Sequence, residues 1–547
     1  MSARAGEFAQ QLRRYFGRHP IGLDIALLLT VTAVAAALRL SRLGAIPYGV
    51  HSDEAQLGTD GHKILNGDFI GVYTHAVLGQ PSGHAYLTLP SIWLLGDTAF
   101  ALRLPLALVG LAAIPLLYLL VRVSYARTEA FFASALLAIS YWHLFYSRVA
   151  HWSVSYGTVV LAVLLCYMLG LKTQRRGWFV AAGVLLGLGA YTYNIYPVAV
   201  VALVVAIGII SWLRCRGASW RRYRLSLALM AIAALIVALP MILYVARPSS
   251  YYWFHVNNYS EVGVTKSPEY RSADTLGKAK LIGEQVRTFA GAYAWDAPLD
   301  NVDGNGLRPM FDPATLILLG TGLVMAVHRR REPMVVAALC CLFIIPLPAV
   351  LQRGSIMRQP LGAAPFAMFF AALPLAALWR FALRARWPAG TLAASAAILV
   401  LALISAVTVH DYFWTYRKDP WPRTIYFSEM TTVSENMRDL PADTRILFYS
   451  ERATINLETR QFLAPDVRGT DRSREFSSFG GSIDLPDRRQ PVAFVLLGSY
   501  LPLLPRIEAK YPGGEERIVE RDGKTEFYAY ELPAEPAGSA GQTSGVP

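Results

Sequence analysis

The residues best suited to chemistry are two adjacent carboxylates, Asp53 and Glu54, in the stretch His51-Ser-Asp-Glu-Ala55. They follow shortly after the first apolar stretch that is long enough to cross a membrane. An ionised carboxylate can accept a proton from an attacking hydroxyl or amine and so act as a general base. At a membrane surface it could serve a reaction whose donor arrives through the bilayer and whose acceptor arrives from water. The pair therefore predicts an enzyme that uses a lipid-carried substrate.

The same carboxylates have alternative roles that need no catalysis. The residues after them place apolar side chains on one helical face, which predicts an amphipathic helix along the membrane surface. Ser52 or Asp53 could cap that helix, because Ser and Asp are favoured N-caps. Glu54 could be a solvated first-turn carboxylate, or the pair could hold a divalent cation. The apolar face comprises Leu57, Gly61, Ile64 and Leu65.

The composition is that of an integral membrane protein. Hydrophobic residues make up 54% of the chain and charged residues 16%, whereas soluble domains carry about 25% charged residues. Eleven apolar stretches approach the roughly 20 residues needed to cross a bilayer, and the first, which lacks a small-residue cleavage site, is predicted to be retained. The stretches are 21–40, 99–121, 128–147, 153–171, 178–195, 196–213, 225–245, 313–328, 333–351, 360–379 and 390–410.

The distribution of Lys and Arg predicts the orientation. If the N-terminus is cytoplasmic, the predicted cytoplasmic segments hold twenty Lys and Arg and the short outer loops hold three. This asymmetry agrees with the positive-inside rule, and an odd number of spans then places the C-terminus outside. The Lys and Arg residues of the predicted cytoplasmic segments also account for most of the net charge of +13, so no nucleic-acid partner is predicted.

The pattern divides the chain into a membrane domain over 1–410, with outer loops 41–98 and 246–312, and an extracytoplasmic α/β domain over 411–532. The tail 533–547, rich in Gly, Pro, Ser and Ala, is predicted to be disordered. Short apolar runs bounded by turn residues predict strands, and an Asp-Gly pair predicts a hairpin turn. The predicted elements of the second domain are strands 445–450 and 491–498, a helix over 503–511 and a hairpin over 515–531.

The four cysteines, Cys166, Cys215, Cys340 and Cys341, all lie outside the predicted outer segments. No disulfide framework is therefore predicted where oxidation would form one. The sequence contains no Cys/His metal motif and no glycine-rich phosphate loop. No cofactor is predicted, although binding of a divalent metal ion by the Asp53–Glu54 pair remains an alternative.

Several short motifs, in their order along the chain, give a family resemblance. The chain resembles the polytopic glycosyltransferases of the GT-C class, and within it the bacterial relatives of protein O-mannosyltransferases and aminoarabinose transferases. The resemblance covers nearly the whole length. The motifs are the acidic pair after the first span, Gly79-Gln-Pro81, Ala101-Leu-Arg-Leu-Pro105, Phe145-Tyr-Ser-Arg-Val-Ala150, Arg308-Pro-Met-Phe-Asp-Pro313 and Phe527-Tyr-Ala-Tyr-Glu-Leu532.

The resemblance implies a fold and a reaction. The fold is that of a mainly α polytopic membrane protein with about eleven spans. The reaction is inverting transfer of a sugar from a polyprenyl-phosphate carrier to a protein, lipid or polysaccharide acceptor, outside a bacterial cytoplasmic membrane. The family's catalytic Asp corresponds to Asp53, with Glu54 beside it. Many relatives have Lys-Pro-Pro where this chain has Gln80-Pro-Ser82, so this loop lacks a cation that could contact the carrier phosphate.

A leaving phosphate needs cationic hydrogen-bond donors, for which arginine has suitable geometry. The candidates are the few cations predicted near the outer ends of spans, together with one histidine that could bind the sugar. Each has an alternative role, because basic residues at span ends often contact lipid headgroups or a helix C-terminus. The candidates are Arg148, Arg353, Arg358, Lys63 and His84.

The main rival interpretation is a polytopic transporter or lipid flippase. Transporters usually carry ionisable residues near the membrane midplane and show repeated halves. The predicted spans here are nearly free of charge, and no two halves match. A transferase of a different group and a non-catalytic scaffold are further alternatives, because fold similarity does not determine substrate.

Overall fold

The computed structural model describes residues 21–214, 218–261, 263–297, 308–352, 356–473, 483–485, 488–521 and 523–535. The helices in this part are α1 Ile21–Leu40, α2 Ser52–Leu65, α3 Gly83–Leu95, α4 Ala99–Ser124, α5 Arg127–Ile139, α6 Tyr141–Tyr146, α7 Ser153–Thr173, α8 Arg176–Leu188, α9 Tyr196–Arg214, α10 Ala218–Val245, α11 Tyr251–Glu261, α12 Pro268–Ser272, α13 Thr275–Ala294, α14 Pro313–Val327, α15 Pro333–Ile344, α16 Leu347–Leu351, α17 Ala364–Ala382, α18 Ala389–His410, α19 Pro420–Ile425, α20 Ser428–Arg438, α21 Glu458–Leu463 and α22 Leu504–Lys510. The strands are β1 Tyr73–Thr74, β2 Gln80–Pro81, β3 Arg445–Tyr449, β4 Gly469–Asp471, β5 Val492–Leu496, β6 Glu515–Arg521 and β7 Lys524–Leu532.

Eight helices in the described part of the chain are long and apolar enough to cross a membrane by length and composition. They coincide with eight of the eleven predicted stretches. Two more predicted stretches form shorter apolar helices, over Arg176–Tyr191 and Pro313–Val327. The remaining stretch, 128–147, is divided between α5 and α6. The predicted fold class is confirmed, and the predicted span count differs at these three places.

The division of the stretch 128–147 occurs at Ser140. This residue has extended backbone angles, φ −63° and ψ 120°, and its hydroxyl accepts a hydrogen bond from the backbone N–H of His143. Ser140 therefore ends α5 and caps α6. A hydropathy profile does not show this break, because the residues on both sides of it are apolar. The break arises because the serine hydroxyl competes with the backbone carbonyls of the helix for an N–H group.

The chain forms two compact units. The first comprises Met1–Leu43, Ile70–Leu87 and Arg103–Lys418. Its most buried long apolar helix is α17, which packs against α5 and α14. In α8, Gly183 and Gly187 bring the helix against backbone carbonyls of α10 with no room for a Cβ. Small residues spaced four apart allow such close helix contact inside membranes.

The second unit comprises Gly44–Phe69, Thr88–Leu102 and Asp419–Pro547. Its five-stranded sheet has the order β4-β3-β5-β7-β6, in which β3 is parallel to both β4 and β5 and the β6–β7 hairpin is antiparallel. The predicted strands, helix and hairpin of the C-terminal domain agree with these elements. Residues 44–69 of the first predicted outer loop therefore belong to the same compact unit as the C-terminal strands. Residues 536–547 of the predicted disordered tail lie outside the described residues.

Alternation along the central strands separates two apolar layers in this second unit. Phe448 and Val495 face a cluster that includes Met430 and Val433 of α20. Their strand neighbours Leu447 and Phe494 face the opposite cluster, which includes Ile507 of α22. Burial on both faces explains why β3 and β5 are near-continuous apolar runs in the sequence.

Candidate active site

Asp53 lies in the first turn of α2, in the second unit, and the cap of this helix is His51. The Nδ1 atom of His51 accepts the backbone N–H of Asp53 at 3.1 Å. In return, the backbone N–H of His51 donates to Oε2 of Glu54 at 3.2 Å. This is a capping box with histidine in the place usually taken by Ser or Thr. The predicted alternative, capping by Ser52 or Asp53, is therefore wrong.

The two carboxylates consequently occupy different environments. Glu54 is 3% exposed, and its carboxylate accepts the hydrogen bond that closes the capping box. The side chain of Asp53 remains 22% exposed, with Oδ1 3.9 Å from Nδ1 of His51. Asp53 therefore keeps contact with solvent, which a general base requires if an incoming acceptor is to reach it. Glu54 has a structural role in starting the helix.

The second unit holds α2 through close packing and two backbone anchors. Gly58 lies directly against the ring of Phe462 in α21, where a Cβ would clash with the ring. The backbone N–H of Val50 donates to Oγ1 of Thr431 at 2.9 Å, and Oγ1 of Thr459 donates to the carbonyl of Val50 at 3.0 Å. The N-terminus of α2, and with it Asp53, is thus fixed by residues some 400 positions later in the chain.

We expect Gly58→Ala to destabilise the second unit by about 1–3 kcal/mol, the usual cost of overpacking a well-packed contact. The added methyl group must displace the Phe462 ring, which is 0% exposed. Thermal unfolding of the purified protein measures this effect. Gly283→Ala in α13 is the matched control, because nothing lies within 4 Å of its Cβ position and alanine is the better helix former. Equal unfolding temperatures for the two variants would contradict the packing described here.

Lys63 also lies on α2, where it neutralises a buried carboxylate. Its Nζ donates to Oδ1 of Asp60 at 2.7 Å, and the side chain of Asp60 is 2% exposed while that of Lys63 is 55% exposed. The charge of Lys63 is therefore already paired. This contact favours a structural role over contact with a phosphate.

Arg148, in the first unit, is completely buried and binds the end of α1. Its Nη1 atom donates to the carbonyls of Leu38 and Arg39 at 2.6 and 2.8 Å, and Nη2 donates to those of Ser41 and Arg42 at 2.7 and 3.3 Å. The carbonyls of Leu38 and Arg39 are among those that a helix C-terminus leaves without partners, and those of Ser41 and Arg42 follow directly after the helix. These contacts fit the alternative role of Arg148, which is to bind the C-terminus of a helix. Its guanidinium group faces backbone carbonyls.

Of the two remaining arginines, Arg353 lies outside the described residues, and Arg358 is buried beside His255 in the first unit. Burial, and to a lesser extent the charge of Arg358, lower the pKa of His255 to about 4, against the opposing effect of a hydrogen bond to the backbone of Leu78. Arg358 is thus a buried cation near the segment that leads into Gly79. It is the strongest candidate for contact with an anionic leaving group.

The segment from Gly79 to His84 is held rigidly in the first unit. Gly79 has φ +105°, and a Cβ there would lie 2.9 Å from ring atoms of both Tyr73 and Tyr251, so only glycine fits. Nδ2 of Asn194 donates to the carbonyl of Gly79 at 2.8 Å, and the hydroxyl of Tyr73 donates to Oδ1 of Asn194 at 3.0 Å. The turn that the sequence predicts here is therefore built by glycine and tied to the start of α9.

This segment buries polar atoms that no described residue satisfies. Oε1 of Gln80, Oγ of Ser82 and Nδ1 of His84 make no hydrogen bond within the described part of the chain, and neither does the nearby Nε1 of Trp152. The four side chains are between 1% and 4% exposed. An unsatisfied buried polar group costs about 1–3 kcal/mol. A polar ligand that supplied partners would recover this cost.

His84, the last residue of the Gly79–His84 segment, is an uncharged side chain that forms hydrogen bonds. Its Nε2 lies 2.8 Å from Oγ of Ser155, and its ring centroid lies 6.2 Å from that of Trp152. Burial lowers the pKa of His84 to about 3, so the ring is uncharged at neutral pH. His84 can therefore bind a hydroxyl, as predicted for a sugar, but cannot supply a positive charge to a phosphate.

An apolar cavity of 720 Å³ opens beside this polar segment, also within the first unit. Helices α8, α9 and α10 form most of it, through small and aliphatic side chains. At one end the lining changes to Tyr73, Pro81, Asn194 and Tyr252, where Pro81 lies between Gln80 and Ser82. The helical lining includes Gly187, Ala190, Val200, Ala234, Ala238 and Ile242.

Several of these residues gave no signal in the sequence. Trp152, Ser155 and Asn194 belong to none of the motifs found in the sequence, and only the fold brings them to the Gly79–His84 segment. Among the described residues, no group of three or more His, Cys, Asp or Glu side chains could hold a metal ion.

Comparison with known proteins finds similarity in both sequence and fold. Residues 79–244 match the family described as dolichyl-phosphate-mannose-protein mannosyltransferase. This range contains the polar segment and all three helices that form most of the cavity. None of the curated protein sequences matches significantly.

Two solved structures of ArnT from Cupriavidus metallidurans are similar to this one. The structure bound to undecaprenyl phosphate has 16% sequence identity and a TM-score of 0.55, and it covers 93% of this chain and 97% of that chain. The apo structure has 14% identity and a TM-score of 0.50, with the same coverage. The chain is therefore an integral membrane protein with the GT-C fold, as the family resemblance predicts.

Proposed function

We propose that this protein is an inverting glycosyltransferase that moves a sugar from a polyprenyl-phosphate carrier to an acceptor outside the cytoplasmic membrane of a bacterium. The observation that carries the proposal is the apolar cavity whose lining reaches Pro81, the residue between Gln80 and Ser82, which bury polar atoms without partners in the described part of the chain. An isoprenoid chain fits the apolar part and a phosphosugar fits the polar end.

The donor would enter the first unit. The isoprenoid lies along α8, α9 and α10, and Gln80, Ser82 and His84 supply hydrogen bonds to the sugar. Support comes from the similar ArnT structure, which was solved with undecaprenyl phosphate. Arg358 stabilises the charge that develops on the phosphate as it leaves, since a buried guanidinium interacts more strongly than an exposed one.

Asp53 would act as the general base. Its ionised carboxylate takes the proton from the acceptor hydroxyl or amine while the acceptor oxygen or nitrogen forms a bond to the anomeric carbon. The bond between that carbon and the phosphate oxygen breaks on the opposite side, so the configuration inverts. Polyprenyl phosphate is released, and no covalent intermediate with the enzyme forms.

Reconstituted vesicles that contain the purified protein and a labelled polyprenyl-phosphate sugar test this function. A transferase releases polyprenyl phosphate and yields a labelled acceptor when a cell-envelope extract supplies that acceptor. A transporter or flippase moves the lipid or the solute without covalent change, so unaltered donor on the opposite leaflet would reject the proposal. In cells, the lipid-linked sugar should accumulate when the gene is deleted.

The cavity gives a prediction of its own. Ala238→Trp should raise the KM for a donor with a full-length isoprenoid by about tenfold, corresponding to about 1.4 kcal/mol of lost contact, with little change in kcat. A donor with a short isoprenoid should be affected much less, because it leaves that part of the cavity empty. Steady-state kinetics with both donors measures the difference.

Leu399→Trp is the control for this variant. Leu399 lies on α18, is 68% exposed and does not line the cavity. This substitution also places a tryptophan on an apolar helix, but outside the proposed site. Equal effects of Ala238→Trp on long and short donors would contradict isoprenoid binding in this cavity.

A further inference from the structure

The second unit contains a polar pocket of 280 Å³ at the end of its sheet where β3 and β5 finish. These strands are parallel neighbours in the order β4-β3-β5-β7-β6. After β3 the chain continues to β4 on one side, and after β5 it continues to the β6–β7 hairpin on the other side. Loops that diverge in this way leave a crevice at the carboxyl ends of the strands, where open α/β sheets bind ligands.

The residues at this crevice come directly after the two strands. Ser450 and Glu451 follow β3, and Leu497 and Gly498 follow β5. Residues of α19 and the first residues of α20 and β7 complete the walls. Three cations and three carboxylates line the pocket, namely Arg423, Arg452, Lys524, Glu429, Glu451 and Glu526.

The charged walls are fixed by the fold. The backbone N–H of Ser499 donates to Oε2 of Glu451 at 2.9 Å. Gly498 has φ +55°, and a Cβ there would lie 2.8 Å from Oε1 of the same carboxylate. Nη1 of Arg452 donates to Oε1 of Glu429 at 2.8 Å, and Nη2 donates to the carbonyl of Thr424 at 2.9 Å. The pocket therefore has ordered hydrogen-bonding groups before any ligand enters.

The chemistry of the walls restricts the ligand. Equal numbers of positive and negative side chains give no net attraction for an anion, and the carboxylates of Glu429 and Glu451 would repel a phosphate. Carboxylates accept hydrogen bonds and guanidinium and ammonium groups donate them, whereas a hydroxyl does both. Adjacent hydroxyls on a neutral ring can satisfy both kinds of group at once. The volume lies just below the range of about 300–1,000 Å³ typical of drug-sized ligands, which suits a single sugar ring.

We propose that this pocket binds one neutral hexose unit of a glycan. The proposal goes beyond the proposed function, because it rests only on the second unit and holds whether or not Asp53 catalyses transfer. Glu451 would accept hydrogen bonds from ring hydroxyls, and Arg423 and Lys524 would donate to them.

Saturation-transfer difference NMR on the full-length protein in lipid nanodiscs tests this inference. The probes are the methyl glycosides of glucose, galactose and mannose, together with inorganic phosphate. At least one glycoside should give a saturable signal. Glu451→Ala should weaken its binding by about tenfold or more, as expected when a charged hydrogen-bond partner is lost, and Thr525→Trp should abolish binding by filling the pocket.

The control is Glu516→Ala, an exposed glutamate on β6 that does not line the pocket; its binding should equal that of the unmodified protein. Thr525→Trp leaves Glu451 in place, so it decides the outcome if Glu451→Ala disturbs the loop, as circular dichroism would show. Saturable binding of no glycoside, binding of phosphate alone, or glycoside binding that persists in Thr525→Trp would each overturn the proposal. Failure of sugar transfer in Asp53 variants would leave it intact.

Discussion

Asp53→Asn should lower the rate of sugar transfer by about 10²–10⁴-fold, the usual contribution of a general base. Asparagine keeps the shape of the side chain but cannot take a proton from the acceptor. The capping of α2 uses the backbone N–H of Asp53 and the side chains of His51 and Glu54, so the helix should form unchanged. The measurement is kcat in vesicles with the labelled lipid donor, with the KM for the donor unaltered.

Two neighbouring variants sharpen this test. Ser52→Ala is the matched control in the same helical turn and should keep normal activity. Glu54→Gln should also stay active, because the amide oxygen can still accept the N–H of His51 in the capping box. If Asp53→Asn keeps full transfer, or if Glu54→Gln loses as much as Asp53→Asn, the general-base role of Asp53 is refuted.

Arg358→Ala should lower kcat/KM by about 10- to 100-fold, which corresponds to hydrogen bonds with a charged group worth about 1.5–3 kcal/mol. The physical reason is that the leaving phosphate loses a buried cation. Arg358→Lys should recover part of the loss, since it restores the charge but not the paired hydrogen bonds of the guanidinium. Added guanidinium ion should also restore part of the activity of Arg358→Ala.

This rescue separates a role at the phosphate from a role in folding, because added guanidinium cannot repair a misfolded core. Arg417→Ala replaces an exposed arginine of the same unit and should leave both kinetics and unfolding temperature unchanged. An Arg358→Ala variant with normal kcat/KM, or one whose loss guanidinium and Arg358→Lys both fail to relieve, would exclude contact between Arg358 and the reacting phosphate.

The sequence was most informative where a single physical rule dominates. The length of apolar stretches predicts eleven spans, eight of which are long helices in the described part of the chain, and short apolar runs bounded by turn residues predict the C-terminal strands and hairpin. It was less informative where two rules compete. Ser140 interrupts an apolar stretch through one hydroxyl, and His51 replaces the Ser or Asp expected at a cap because its Nδ1 can accept the same N–H.

The residues of the candidate site show the same contrast between what the sequence predicts and what only the fold reveals. The types of residue suited to catalysis and phosphate contact could be selected from the sequence, but their partners could not. Arg148 meets the carbonyls at the end of α1, more than a hundred residues away, and Lys63 meets Asp60. Trp152 and Asn194 reach the Gly79–His84 segment only through the packing of helices. Distances of this kind depend on the fold as a whole.

The contact of Gly58 with Phe462 has a consequence for how this chain can be recombined. The proposed base is encoded near the start of the gene, yet it shares a core with residues encoded near its end. In a chimera that exchanges only residues 419–547 with a homologue, Gly58 would come from one parent. The residue packed against it, at the position of Phe462, would come from the other parent. Functional hybrids should therefore require 44–69 and 419–547 to be inherited from the same parent.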